Sequence, residues 1–166
     1  MTDRRLHEQV HIIGAGLLGT SIGLALTEKG VDVTLADVSP TAVRLAVDYG
    51  AGRAPRTDDR PGLVVVAAPP DVTAATVARA LQEHPEALVT DVASVKGSVL
   101  AELRELGADV TRYLGTHPMA GRERGGPISA RADLFVGRPW VLAGHDDITY
   151  RRAGAIEDLI LDVGAV

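Results

Sequence analysis

The run Gly14-Ala15-Gly16-Leu17-Leu18-Gly19 stands between a short apolar stretch, Val10-His11-Ile12-Ile13, and a helical stretch from Leu17 to Lys29 that stops at Gly30. Few arrangements accept glycines at that spacing between a strand and a helix, and each one meets a separate need. The first permits a tight turn out of the strand, the second lets backbone approach a diphosphate, and the third lets the helix pack closely on the sheet. The helix then presents free N–H groups and the positive end of its dipole to an anion. The glycine pattern alone is a weak signal. Its context strengthens it, because Asp37 closes the next strand, Val31 to Ala36, where such a fold places the acidic partner of an adenosine ribose. A carboxylate there accepts hydrogen bonds from the ribose hydroxyls and repels a 2′-phosphate, so NAD is expected over NADP. The predicted cofactor contacts in this part of the chain are Gly14, Gly16, Leu17, Leu18, Gly19 and Asp37.

Strand and helix continue to alternate. Ser39-Pro40 supplies an N-cap and an N1 proline for a helix running to about Gly50. Gly52 to Pro61 is a polar connection with one short strand around Arg53-Ala54. Leu63 to Ala67 is a buried strand broken at Pro69-Pro70, and Asp71 caps a helix that ends near His84-Pro85. Leu88 to Thr90 is a strand, Asp91 to Lys96 a loop, and Gly97 to Leu106 a helix closed by Gly107. A strand Trp140 to Leu142 and a helix Asp146 to Leu161 follow, and Asp162 to Val166 reads as the start of a further strand. The expected fold is α/β, a Rossmann-type doubly wound, mostly parallel sheet with helices on both faces, occupying residues 1–166 as one domain. The abrupt halt reads as a piece cut from a longer protein.

Composition supports this class. With 46% hydrophobic residues but a single Phe and a single Trp, the core must be aliphatic, as in parallel strands covered on both faces. The 17 basic residues are scattered and the net charge is −5, so no nucleic-acid partner is expected. The chain has no cysteine, which excludes disulfides and thiolate metal sites, and no metal is expected. Arg4-Arg5 ahead of an apolar stretch resembles a secretion leader, but Asp3, Glu8 and Gln9 interrupt it. The longest other apolar run, Leu63 to Pro70, falls far short of the ~20 residues that span a bilayer. A soluble, cytoplasmic protein with a small-molecule partner is expected.

Three segments lie where open α/β sheets place their ligands, at carboxyl ends of strands. Ala67-Ala68-Pro69 fits a loop passing over the cofactor, where only small side chains leave room, and fits equally a turn that starts a helix. The other two are the loops Asp91-Val92-Ala93-Ser94-Val95-Lys96-Gly97 and Gly115-Thr116-His117-Pro118-Met119-Ala120-Gly121, which should face one crevice. Ser94 and His117 are a hydroxyl and an imidazole of the kind that proton transfer uses. Taken alone, a histidine before a proline is more often a structural hydrogen-bonding residue.

Taken together, the glycine turn with Asp37, the Asp91 to Gly97 loop, His117-Pro118-Met119-Ala120-Gly121 with Glu123 and Gly125-Gly126, and Pro139-Trp140-Val141-Leu142 resemble the nucleotide domain of the prephenate dehydrogenases. That family includes the arogenate dehydrogenases of tyrosine synthesis, and the likeness runs in order through nearly the whole chain. It implies an enzyme of aromatic amino acid biosynthesis, with NAD-dependent oxidative decarboxylation of prephenate to 4-hydroxyphenylpyruvate. His117 would be the base and Ser94 the residue orienting it beside cofactor and substrate. Lys96, Gly121, Arg122 and Glu123 would border the substrate. Arg122 departs from the small polar residue common in the family, and Arg122-Glu123-Arg124 also reads as an exposed charged turn. The resemblance further implies a second, all-helical domain after this one, which dimerises and contributes to the substrate pocket, so that this chain alone should bind NAD but turn over little substrate. Three other functions stay open: an arogenate dehydrogenase, another dehydrogenase acting on a hydroxy acid, and a nucleotide-sensing module without chemistry.

Overall fold

The computed structural model describes residues 3–120, 127–149 and 151–166. In chain order the elements are β1 (Val10–Ile13), α1 (Leu17–Glu28), β2 (Val33–Ala36), α2 (Pro40–Asp48), β3 (Leu63–Val66), α3 (Thr73–Glu83), β4 (Leu88–Asp91), α4 (Lys96–Glu105), β5 (Tyr113–Pro118), β6 (Trp140–Ala143) and α5 (Gly154–Asp162). The strands form one sheet in the order β2-β1-β3-β4-β5-β6. All neighbours run parallel except β6, which pairs antiparallel with β5. The chain reverses direction beside β1, which leads to β2 on one side while β3 lies on the other. Crevices at such switch points take ligands. Among the described residues no helix is long and apolar enough to cross a membrane.

β3 shows why the apolar run folds this way. Its four residues are all buried, and alternate side chains enter different cores. Leu63 and Val65 join a cluster with Ile22 and Leu26 of α1 and Ile156 and Leu159 of α5. Val64 and Val66 join a second cluster with Val77 and Leu81 of α3 and Val99 and Leu103 of α4. A strand covered on both faces needs this unbroken apolar sequence. Local signals hold as well: Ser39 caps α2 by accepting from Ala42 N at 3.2 Å, and Pro40 is its first residue.

Several boundaries differ from the sequence expectation, among them the loop expected from Asp91 to Lys96, whose ends join β4 and α4. The strand around Arg53-Ala54 shrinks to a single parallel bridge between Arg53 and Thr34. The helix capped by Asp71 begins later, because Pro70–Val72 form a 3₁₀ turn first. The helix expected from Asp146 starts only at Gly154. His145 bonds Tyr113 O through Nε2 at 2.7 Å and accepts Asp147 N at 3.2 Å, which folds 145–149 as turns. The segment expected as a loop from Gly115 is instead strand as far as Pro118, and it pairs with β6 from Gly115↔Ala143 to Pro118↔Trp140. The terminal residues, expected as the start of a strand, instead end α5 at Asp162 and then run beside 138–140 without forming a strand, with Val166 N bonded to Arg138 O at 3.0 Å and Trp140 N to Val166 O at 3.1 Å.

Two polar anchors brace the far end of the molecule. Buried Arg112 donates to Leu81 O (2.7 Å), His84 O (3.0 Å) and Ala87 O (2.9 Å), closing the carboxyl end of α3. Buried Asp162 accepts Arg5 N at 3.0 Å and Leu6 N at 2.8 Å, fastening the N-terminal segment to α5.

Candidate active site and cofactor cradle

The glycine turn is built as the spacing requires. Gly14 has φ +113°, and a Cβ there would lie 2.3 Å from Ala67 O, so β1 leaves its turn in contact with the end of β3. A Cβ on Gly19 would lie 1.8 Å from Gly14 O, so α1 sits directly on the turn. A Cβ on Gly16 would meet nothing within 4 Å. Gly16 is also the N-cap of α1, and no side chain caps that helix end. The first-turn N–H groups, those of Leu17 and Leu18 among them, are therefore left without a side-chain cap at the positive end of the helix. Leu17 is buried and Leu18 half-buried, so their share in a diphosphate site is main-chain. Ala67 and Ala68 are half-buried and Pro69 is exposed at the rim.

Asp37 is fastened at both oxygens. Oδ2 accepts Ala15 N at 2.7 Å and Oδ1 accepts Ser39 N at 2.8 Å, which ties the end of β2 to the glycine turn. Each carboxylate oxygen has a second lone pair to offer. A ribose diol fits this acceptor, and the diphosphate of the same dinucleotide fits the free N–H groups and the space above Gly16.

On the other side of the switch point lie β4 and β5. Asp91 pairs in register with Gly115, and His117 lies two residues further along β5. The His117 ring is half-buried, and its Nδ1 is buried without a hydrogen-bond partner among the described residues. Ser94 is exposed on the loop between β4 and α4, and no hydrogen bond among the described residues joins it to His117. Lys96, expected to border substrate, turns inward to the Asp91 carboxylate instead, and only 17% of its side chain is exposed. Burial pushes its pKa down, with Asp91 opposing. Gly121, Arg122 and Glu123 lie outside the described residues.

Asp91 and Tyr113 were not singled out from the sequence as site residues. Asp91 is fully buried, and its carboxylate accepts Tyr113 Oη at 2.6 Å, Ala93 N at 3.0 Å and Lys96 Nζ. Burial, with the neighbouring Asp91 charge, pushes the Tyr113 phenol well above the ordinary range. The available signal was an acid at a strand end followed within one turn by a lysine opening a helix, where helix dipoles disfavour cations.

A cavity of about 740 Å³ lies elsewhere, lined by His11, Thr34 and the segments around Asp59 and His84. His11 bonds Thr34 Oγ1 through Nδ1 at 2.7 Å and faces the His84 ring at 5.6 Å between centroids. Burial and the neighbouring His84 push its pKa down to about 4.

Comparison with known proteins agrees with this geometry. Residues 22–166 match the family described as prephenate dehydrogenase, nucleotide-binding domain. Over 158 residues, 93% of this chain and 43% of the relative, the sequence is 44% identical to the "Probable prephenate dehydrogenase NovF" of Streptomyces niveus. It is 28% identical over 153 residues to the prephenate dehydrogenase of Bacillus subtilis, covering 83% of this chain and 40% of that protein. The chain thus spans about two fifths of the length of these relatives. The crystal structure of prephenate dehydrogenase from Aquifex aeolicus in complex with hydroxyphenyl propionate and NAD+ superimposes with a TM-score of 0.84 at 26% identity, covering 98% of this chain and 59% of that one. The sheet order, the glycine cradle and this matching sequence agree: the chain belongs to the prephenate dehydrogenase family, within its nucleotide-binding domain.

Proposed function

We propose that this chain binds NAD and that, within the whole protein, it serves the oxidative decarboxylation of prephenate to 4-hydroxyphenylpyruvate, with His117 as base. The observation that carries the reading is a half-buried imidazole at the carboxyl end of β5 whose Nδ1 is buried without a hydrogen-bond partner among the described residues, in a chain whose glycine turn opens onto the same edge of the sheet. The Aquifex relative, captured with NAD+ and a hydroxyphenyl acid, supports both cofactor and substrate class.

When bound, NAD accepts hydride from the ring carbon that bears the substrate hydroxyl. The chain's own residues do the rest. Gly14, Gly16, Leu17, Leu18 and Gly19 hold the diphosphate on main-chain N–H groups, Asp37 holds the adenosine ribose, and Ala67, Ala68 and Pro69 border the dinucleotide. His117 accepts the hydroxyl proton as the carbon–oxygen double bond forms. Ser94 donates to or accepts from that hydroxyl and sets the ring's angle. The carboxylate then leaves as carbon dioxide, the electron pair of its broken bond completes the aromatic ring while the carbon–oxygen π pair returns to oxygen, and that oxygen takes up a proton to give the phenol. Base catalysis of this kind contributes ~10²–10⁴-fold. The family resemblance assigns Gly121, Arg122 and Glu123 to the substrate, whereas Lys96 is engaged by the Asp91 carboxylate. The remaining contacts, and assembly into a homodimer, fall to a helical domain beyond this chain.

The test is His117→Asn in the whole protein. Turnover should fall by at least ~10² while the Kd for NAD stays within about threefold of the parent value. Near-normal rates with both prephenate and arogenate would overturn the assignment.

A further inference from the structure

Resting on that assignment of Ser94 and His117, we propose that Asp91, Lys96 and Tyr113 form a buried clasp that positions the Ser94 loop against His117, and that Lys96 acts through this clasp and not by touching substrate. An ionised carboxylate as deeply buried as Asp91 is strongly disfavoured unless its lone pairs are taken up by donors and its charge is matched. Here Oδ1 accepts Tyr113 Oη, and Oδ2 accepts Ala93 N and Lys96 Nζ.

Lys96 goes against two local preferences to make this contact. It opens α4, where the helix dipole disfavours a cation, and it draws a long charged side chain inward instead of leaving its head in water. Neither choice helps the helix. The consequence is a closed loop: Asp91 and Lys96 join its two ends, Val92 and Ala93 are buried beneath it, and Ser94 and Val95 are left exposed at its apex.

The strand that carries His117 is shaped to the same cluster. Tyr113, Gly115 and His117 alternate along β5, so they share one face of the sheet. Tyr113 supplies a donor to the clasp and Gly115 supplies room for it. A Cβ on Gly115 would lie 2.6 Å from Tyr113 Oη, 3.0 Å from Lys96 Cδ and 3.2 Å from Asp91 Oδ1. Loop and imidazole are thus referred to one buried carboxylate. Stability alone does not account for it, because buried ion pairs can often be exchanged for apolar groups without loss.

The test combines Tyr113→Phe, Lys96→Arg and the charge-free double variant Asp91→Asn/Lys96→Met in the whole protein. Tyr113 is 2% exposed and its hydroxyl donates to Asp91, so Tyr113→Phe removes one member of the clasp without altering the exposed Ser94 loop directly. Tyr113→Phe and the double variant should lower kcat about tenfold or more, with the KM for prephenate and the Kd for NAD within threefold. The Ala93 amide should exchange with solvent at least tenfold faster in Tyr113→Phe, and Lys96→Arg should recover most of the kcat. Unchanged kcat and unchanged Ala93 exchange in both Tyr113→Phe and the double variant would overturn the clasp. A raised KM for prephenate at normal kcat in Lys96→Arg would overturn it too, by returning Lys96 to the substrate. If the unsubstituted protein turns over neither prephenate nor arogenate, the assignment of function fails, while Ala93 exchange still decides whether the clasp holds the loop.

Discussion

Gly16→Ala separates binding from folding at a single methyl group. The backbone at Gly16, φ −83° and ψ −158°, is open to any residue, and the added Cβ meets nothing within 4 Å. Stability should therefore stay within about 0.5 kcal/mol of the parent, as for a substitution that touches nothing. In the proposed cradle, the same methyl occupies the space above Gly16 through which the diphosphate would reach the first-turn N–H groups of α1. Hydrogen bonds to a charged group are worth about 1.5–3 kcal/mol each, so losing one weakens NAD by roughly 10- to 150-fold. Gly19→Ala is the control with the opposite outcome. Its Cβ starts 1.8 Å from Gly14 O, so helix and turn must separate by more than an ångström, and stability should drop by about 3 kcal/mol or more. Chemical denaturation and NAD titration by calorimetry read both effects on the same samples. Gly16→Ala binding NAD within threefold of the parent would place the diphosphate elsewhere and remove the cradle from the site.

Asp37→Asn should weaken NAD about tenfold and narrow the preference over NADP by at least that much, because the repulsion of a 2′-phosphate goes with the charge; a parent protein that binds NADP as well as NAD would refute the repulsion. The pKa of His11, about 4 in the fold, lies below the 6.5 of a free imidazole, so the unfolded chain takes up the proton first. Stability should be complete above pH 6.5 and fall toward pH 4 by up to about 3 kcal/mol, less in proportion to residual solvent contact. His11→Asn should flatten that slope in urea titrations at pH 7 and 4.5, and an unaltered slope would assign it to other groups. Arg112→Met leaves the carbonyls of Leu81, His84 and Ala87 without their donor and should cost about 3 kcal/mol in denaturant while NAD affinity holds; a loss under 1 kcal/mol would show that water replaces the guanidinium.

The elements were readable where the signal is local. The cap at Ser39, the proline at 40 and the unbroken apolar run of β3 each act within a few residues, and each element stands where it was expected. Two of the misses are places where a distant partner decides. β5 runs on to Pro118 because β6 returns to pair with it, and nothing in Thr116-His117-Pro118 announces that strand. The start of α5 is delayed by His145, which is held by a carbonyl at the head of β5. In the candidate site, the glycine turn was legible because a glycine requirement is a property of the backbone at its own position. The Asp91 cluster was not, because it depends on the register that sets Asp91 opposite Gly115.

Glycines in this fold also show how a ligand site differs from a packing site at the level of a missing side chain. The space that a Cβ would take at Gly14 is filled by Ala67 O, at Gly19 by Gly14 O, and at Gly115 by the Tyr113 hydroxyl with Lys96 and Asp91. In each case the chain consumes the room it gains, and the glycine is explained by close packing of the fold on itself. Gly16 is the position in the glycine turn where the room stays empty, and it is also where α1 leaves its first N–H groups without a side-chain cap. Empty space by itself is common at surfaces. Open space that coincides with donors lacking a side-chain cap at the positive end of a helix, beside a carboxylate already anchored at both oxygens, suits an anion joined to a diol. The proposed NAD cradle rests on that coincidence.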